Sequence, residues 1–149
     1  MDIFLEEIDS IFLVEEKADH YHSGSDNQWK FEELDAWRNA HQFVLSLYKF
    51  TGSFPKEERF ALVDQMRRAA VSIPANIAEG TGKKSVKEIL RFFYISRGSL
   101  EESKYHLLLA RDLKYLSLKE FDELKEKINT TGRLLNALIT SLERKTRNH

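Results

Sequence analysis

Residues 54–80 read FPKEERFALVDQMRRAAVSIPANIAEG, and the spacing of apolar residues in this run decides the fold class. Turning each residue about 100° from the last puts Leu62, Met66, Ala69, Ile73 and Ile77 on one stripe, the pattern of an α-helix with a buried face. Pro55 stands where a helix start does not need its missing N–H, and Gly80 and Gly82 stop the pattern, so one helix is predicted from about Lys56 to Glu79. Beside the core stripe runs a polar one, Gln65, Arg68, Ser72, Asn76 and Glu79. Opposite the core lies a third surface of small or apolar residues, Val71, Pro74, Ala75 and Ala78. A helix needs only its own bundle to bury one stripe, so a second surface predicts another helix packed against it, and these four residues are the candidate oligomer interface. Pro74 withdraws the hydrogen bond to the Ala70 carbonyl, which predicts a bend or two shorter helices.

Working outward, Leu34, Trp37, Val44 and Tyr48 recur at helical spacing between Glu32 and about Phe50, with Ala40, Phe43 and Leu47 widening the stripe. Ser85 with Glu88, and Ser117 with Glu120, have capping-box spacing and predict two more helix starts. The third helix carries Ile89, Phe92, Phe93, Ser96, Leu100, Ser103, Leu107 and Ala110 on one side. The fourth carries Phe121, Leu124, Ile128, Leu135, Leu138 and Leu142, then runs into the basic residues Arg144, Lys145 and Arg147. No strand pattern competes, and there are only two prolines, so the expected fold is all-α, an antiparallel up-down four-helix bundle. Gly98 and Gly132 each cost a helix about 1 kcal/mol relative to alanine. That cost predicts close backbone approach there, with the small residues of helix two as partners.

The 149 residues with 42% hydrophobic content suffice for one domain, expected over residues 30–149. Residues 1–29 form an acidic extension, with a short amphipathic helix predicted on Phe4, Ile8, Ile11 and Phe12 and a linker in HYHSGSDNQ, residues 20–28. No cysteine is present, which excludes a disulfide framework, a thiol nucleophile and a cysteine-based zinc site. The apolar run Ile11–Val14 is too short for a membrane span and the N-terminus is acidic rather than basic, so a soluble cytoplasmic protein is expected. The net charge of −1 conceals an asymmetry: residues 1–29 hold eight acids against Lys17, or −7, and the remaining 120 hold 22 Lys plus Arg against 16 Asp plus Glu, or +6. The folded part is therefore basic.

The strings FPKEERFALVDQMRRAAVSIPANIAEG (54–80), RFFYISRGSLEE (91–102) and FEELDAWRNAHQFVLSLY (31–48) closely resemble the four-helix bundle family named for proteins encoded in intervening sequences of bacterial 23S ribosomal RNA. The resemblance covers about residues 30–143, and SIPANIAEG and RGSLEE are its most specific parts. It implies a bundle that assembles into a ring-shaped homo-oligomer, typically a pentamer, around a central channel. A related branch is the accessory protein of diversity-generating retroelements, whose basic ring contacts nucleic acid and the reverse transcriptase. The family has no established enzymatic activity.

Lys83, Lys84, Lys87 and Arg91 fall after helix two and in the first turns of helix three, where unpaired backbone N–H groups also favour anions. With Arg67, Arg68 and Arg97 they are the candidate nucleic-acid-binding residues, set against the alternative that such cations are ordinary solvated surface. The polar stripe of helix two reads equally as a satisfied structural network. Arg111 and Lys114 add charge near another helix end. Catalytic signals are weak: Glu101 and Glu102 are adjacent and diverge on a helix, and GTGKKS (80–85) lacks phosphate-loop spacing and follows a helix. His41 and His106 read as core or interface residues, and His20 and His22 have no third metal ligand at fixed spacing. The expectation is a non-enzymatic oligomeric adaptor without metal or cofactor, binding structured RNA or other nucleic acid through phosphates. The competing expectation is a protein-interaction scaffold held through helix two and the acidic N-terminal segment.

Overall fold

The chain of residues 28–148, which the computed structural model describes, begins with a 3-10 turn at Lys30–Glu33. The Glu32 carboxylate accepts from the Trp29 N–H at 2.8 Å, and its carbonyl accepts from Arg38 at 2.7 Å, so the turn is tied at both ends. Helix α1 (Asp35–Thr51) follows. Its fully buried residues are Ala36, Ala40, Phe43, Leu47 and Thr51, while Trp37 and Val44 border the core and Tyr48 is 44% exposed. The stripe is thus rotated from the one centred on the largest side chains. Alanines at positions 36 and 40 let neighbouring helices approach, so the axis of contact runs through them.

Phe54 is buried against the Tyr115 ring, 5.3 Å between centroids, and pins the chain down before α2 can begin. Pro55 leads only a 3-10 turn, Lys56–Glu58, and α2 runs Leu62–Thr81. The helix therefore starts at Leu62 rather than Lys56, with the Glu58 carboxylate accepting from the Leu62 N–H at 3.3 Å. Helix α2 continues through Pro74 as one element. Pro74 itself is buried, which corrects its place in the open third surface. It lies seven residues after Arg67, on the flank that meets α1. Val71 and Ala75 are exposed and Ala78 is half-buried.

Helices α3 (Val86–Asp112) and α4 (Leu118–Arg147) complete four α-helices, and no strand occurs among the described residues. Both start on the predicted serines. Ser85 accepts from the Glu88 N–H at 3.2 Å, and Ser117 and Glu120 form the full reciprocal box at 3.1 and 2.9 Å. Helix α3 ends with Lys114 at φ 63°, while the Lys114 and Tyr115 N–H groups each bond back at 2.9 Å, to Arg111 and Ala110. This is the Schellman arrangement with lysine where glycine is the usual choice.

Each helix packs on two others: α1 on α2 and α4, α3 on α2 and α4. The register is read from pairs in which one number rises as the other falls. Ser72 meets Ser99 at 2.8 Å, Ser96 donates to the Ile73 carbonyl at 2.9 Å, and Gly80 faces Phe93. Arg97 reaches Asn136 and Tyr94 reaches Glu143. These pairings make an antiparallel up-down bundle around one core. A Cβ on Gly80 would stand 2.9 Å from the Phe93 ring, so this is where backbone and side chain truly crowd. The approach predicted at Gly98 is absent, since nothing lies within 4 Å of its Cβ position. Gly132 meets only the Leu100 side chain of α3 at 3.6 Å, so neither glycine pairs with the small residues of α2.

Candidate nucleic-acid interface

Antiparallel packing brings the end of α2, the start of α3 and the end of α4 to one end of the bundle. The Gly80 contact seats the last turn of α2 on Phe92 and Phe93, which places Lys83 and Lys84 beside the first turns of α3. Phe92 is bracketed by cations, with Lys83 Nζ at 5.0 Å and the Arg91 guanidinium at 5.5 Å from its ring centroid. Sequence periodicity assigned Phe92 to the core, but it is half-buried and serves as the floor under two charges. Lys84, Lys87 and Arg91 are exposed, and no carboxylate among the described residues pairs with them or with Lys83. The positive end of the α3 dipole adds to their field.

The end of α4 supplies Arg144, Lys145 and Arg147 to the same end. The Tyr94 hydroxyl donates to Glu143 at 3.1 Å. Burial first, and then the Glu143 charge, hold the Tyr94 proton on above the ordinary phenol value.

The other three candidates go elsewhere. Arg67 lies about 24 Å away along the bundle, sixteen residues before Lys83 at 1.5 Å each. Its guanidinium sits 4.4 Å from the Tyr48 ring centroid, and it donates to Thr51 Oγ1 at 3.1 Å and to the Tyr48 carbonyl at 3.3 Å. Arg68 points to solvent and pairs with Asp64 at 3.2 Å. Arg97 lies over Tyr94 at 5.2 Å and donates to Asn136 at 3.4 Å. The single anion surface expected from Arg67, Arg68 and Arg97 is therefore not assembled. Helical spacing aligns residues on one helix, whereas these three fall on different flanks of α2 and on α3.

The polar stripe of α2 resolves into a smaller network. Asn76 donates to the Ser72 carbonyl and hydroxyl at 2.8 and 2.9 Å, and Ser99 donates to Ser72, while Gln65 and Glu79 are exposed. His106 is buried in α3, with Nδ1 lacking a partner and Nε2 3.8 Å from Glu102. His41 is half-buried and stacked on Trp37 at 5.0 Å. Among the described residues no group of three or more His, Cys, Asp or Glu could hold a metal ion, and no helix is long and apolar enough to cross a membrane. The extension predicted over residues 1–29, with His20 and His22, lies outside the described residues except for Gln28 and Trp29.

One surface was missed by periodicity. On α3, Tyr94, Ile95, Tyr105 and Leu108 are exposed by 41–62% on the side away from the core, around the open Gly98. They were hidden because apolar and charged residues are interspersed around α3, so no single stripe stands out.

A family model described as "23S rRNA-intervening sequence protein" matches residues 32–137. Among solved structures, a protein of unknown function from the S23 ribosomal protein family of Bacteroides thetaiotaomicron has the same fold, with 21% identity and a TM-score of 0.63. The match covers 70% of this chain and 97% of that one. No curated protein matches the chain.

Proposed function

The chain belongs to the 23S rRNA-intervening sequence protein family, and on that footing we propose that it is a non-catalytic, homo-oligomeric adaptor that binds structured RNA or other nucleic acid through phosphate contacts. The observation that carries this reading is the basic end of the bundle, where Lys83, Lys84, Lys87 and Arg91 stand without carboxylate partners among the described residues. Cations on a rigid helix corner neutralise phosphates and release counterions, a contact that carries no sequence information. Self-association is supported by the exposed apolar side of α3 and by Val71 and Ala75 on α2. In an oligomer each basic end is repeated, and weak contacts add through multivalency.

The test combines light scattering with fluorescence anisotropy of a structured RNA over a salt series. The expected result is an oligomer whose log affinity falls linearly with log salt. The triple substitution Lys84→Ala, Lys87→Ala, Arg91→Ala should lower that slope by about 2 to 3 per binding unit, at roughly 0.7 to 0.9 per phosphate contact. Binding that ignores salt, or that is unchanged in the triple variant, would refute the interface. The same exposed side of α3 favours the second reading, a protein scaffold, which a salt-insensitive complex with one protein partner would support.

A further inference from the structure

At the opposite end of the bundle, a cavity of about 360 Å³ opens between the end of α1 and the start of α2. Its walls hold three cations, Lys56, Arg59 and Arg67, with Thr51 beside them and Phe54, Pro55 and Val63 as an apolar side. We propose that this cavity is a binding site for a phosphate monoester of mononucleotide size, separate from the polyanion surface around Lys83.

Arg67 is the anchor. Its guanidinium is held on three sides, by the Tyr48 ring at 4.4 Å, by Thr51 Oγ1 at 3.1 Å and by the Tyr48 carbonyl at 3.3 Å. Thr51 is itself fixed, because its hydroxyl donates to the Leu47 carbonyl at 2.7 Å. None of these contacts neutralises the charge. They use two of the five guanidinium N–H groups, so three donors are left on a side chain whose orientation is already set. Immobilising a cation in this way removes the ordering cost that a free surface arginine would incur on binding.

Of the two neighbouring carboxylates, Glu57 is exposed to solvent and Glu58 is turned away. Glu58 accepts from the Tyr115 hydroxyl at 3.2 Å through one oxygen and from the Leu62 N–H at 3.3 Å through the other. Lys56 and Arg59 are exposed at the rim, and no carboxylate among the described residues pairs with either of them or with Arg67.

Three cations around one cavity, none in an ion pair with a carboxylate among the described residues, match the charge of a phosphate monoester, about −1.5 to −2 at neutral pH, better than that of a carboxylate. The volume lies near the lower end of the range for small-molecule sites, roughly 300–1,000 Å³, which suits one nucleotide or sugar phosphate. Phe54, Pro55 and Val63 offer an apolar wall to its organic part. The phosphate could come from a free metabolite or from the 5′ end of a nucleic acid, since the recognised chemistry is the same.

Isothermal titration of the full chain with inorganic phosphate, adenosine 5′-monophosphate and adenosine tests the proposal. Saturable binding of the monophosphate, weaker binding of phosphate and none of adenosine are expected. The double variant Lys56→Ala, Arg59→Ala should weaken the monophosphate at least about tenfold with an unchanged thermal melt, because both side chains are exposed. The variant Lys84→Ala, Lys87→Ala should leave it unaltered. Competition by a 5′-phosphorylated but not a 5′-hydroxyl oligonucleotide assigns the ligand to a nucleic-acid end, and failure of both to compete assigns it to a free phosphorylated molecule. No saturable binding of phosphate or monophosphate, or binding that survives the Lys56 and Arg59 substitutions, overturns the proposal. Neither result bears on RNA binding at the Lys83 end, which the salt series measures by itself.

Discussion

Replacing Gly98 by alanine should stabilise this protein, and replacing Gly80 by alanine should destabilise it, although both glycines lie inside long helices. Alanine gains about 1 kcal/mol over glycine within a helix by restricting the unfolded chain. At Gly98 the new methyl group meets nothing within 4 Å, so the whole gain is retained. For a chain of 149 residues that is a rise in Tm of about 3 °C. At Gly80 the same methyl would stand 2.9 and 3.0 Å from two carbons of the Phe93 ring and 3.2 Å from Phe92 Cβ. Phe93 is 0% exposed and cannot swing aside, so the overpacking cost of about 1–3 kcal/mol exceeds the helix gain and leaves a net loss of about 1 kcal/mol. Urea unfolding of the two variants at matched m-values gives both numbers. A destabilised Gly98→Ala in dilute protein, or a Gly80→Ala stabilised to the same extent as Gly98→Ala, would refute the packing argument. If the open side of α3 meets a second copy, the Gly98→Ala gain should shrink as protein concentration rises, which separates assembly from monomer stability.

Three further outcomes are expected. Burial holds the His106 imidazole below its ordinary value of 6.5, with Glu102 opposing more weakly. The unfolded chain therefore takes up a proton first as pH falls, and the histidine costs stability below about pH 6.5 but not above about pH 7.5. His106→Leu should remove that part of the acid loss, as urea midpoints at about pH 7.5 and 5.5 would show; an equal loss in both proteins would contradict it. Lys114 closes α3 at φ 63°, where a Cβ costs about 1–2 kcal/mol and glycine does not suffer it, so Lys114→Gly should raise stability by about 1 kcal/mol in denaturant unfolding. Deleting residues 1–27 removes eight acids and one lysine from a chain whose α1 begins at the Lys83 end, so affinity for structured RNA at low salt should rise; unchanged affinity would show that the acidic segment does not compete.

Much of the fold was legible because helical burial is periodic. The stripe Leu62, Met66, Ala69, Ile73 and Ile77 is buried throughout, and Ser85 and Ser117 start their helices as their spacing predicts. Capping is local chemistry, satisfied within four residues, so sequence reports it faithfully. The start of α2 was misjudged because Pro55 suits a 3-10 turn as well as an α-helix, and the choice rests with Phe54, which is pinned by Tyr115 from a distant part of the chain. Pro74 was misplaced because a helical wheel gives angles but not the position of the neighbouring helix.

The candidate sites show the same division. Lys83, Lys84, Lys87 and Arg91 were found together because they are close in sequence and flank one helix start. Lys56, Arg59 and Arg67 were not recognised as a group, because only the fold of α1 against α2 brings Thr51 and Tyr48 under the Arg67 guanidinium. By itself the sequence determined the helical class, the caps, the basic charge of the folded part and the family, since each is written in local spacing or composition. Tertiary structure alone decided which charges share a surface, which glycine is crowded and which apolar residues stay exposed, because those depend on distances between segments that no local period encodes.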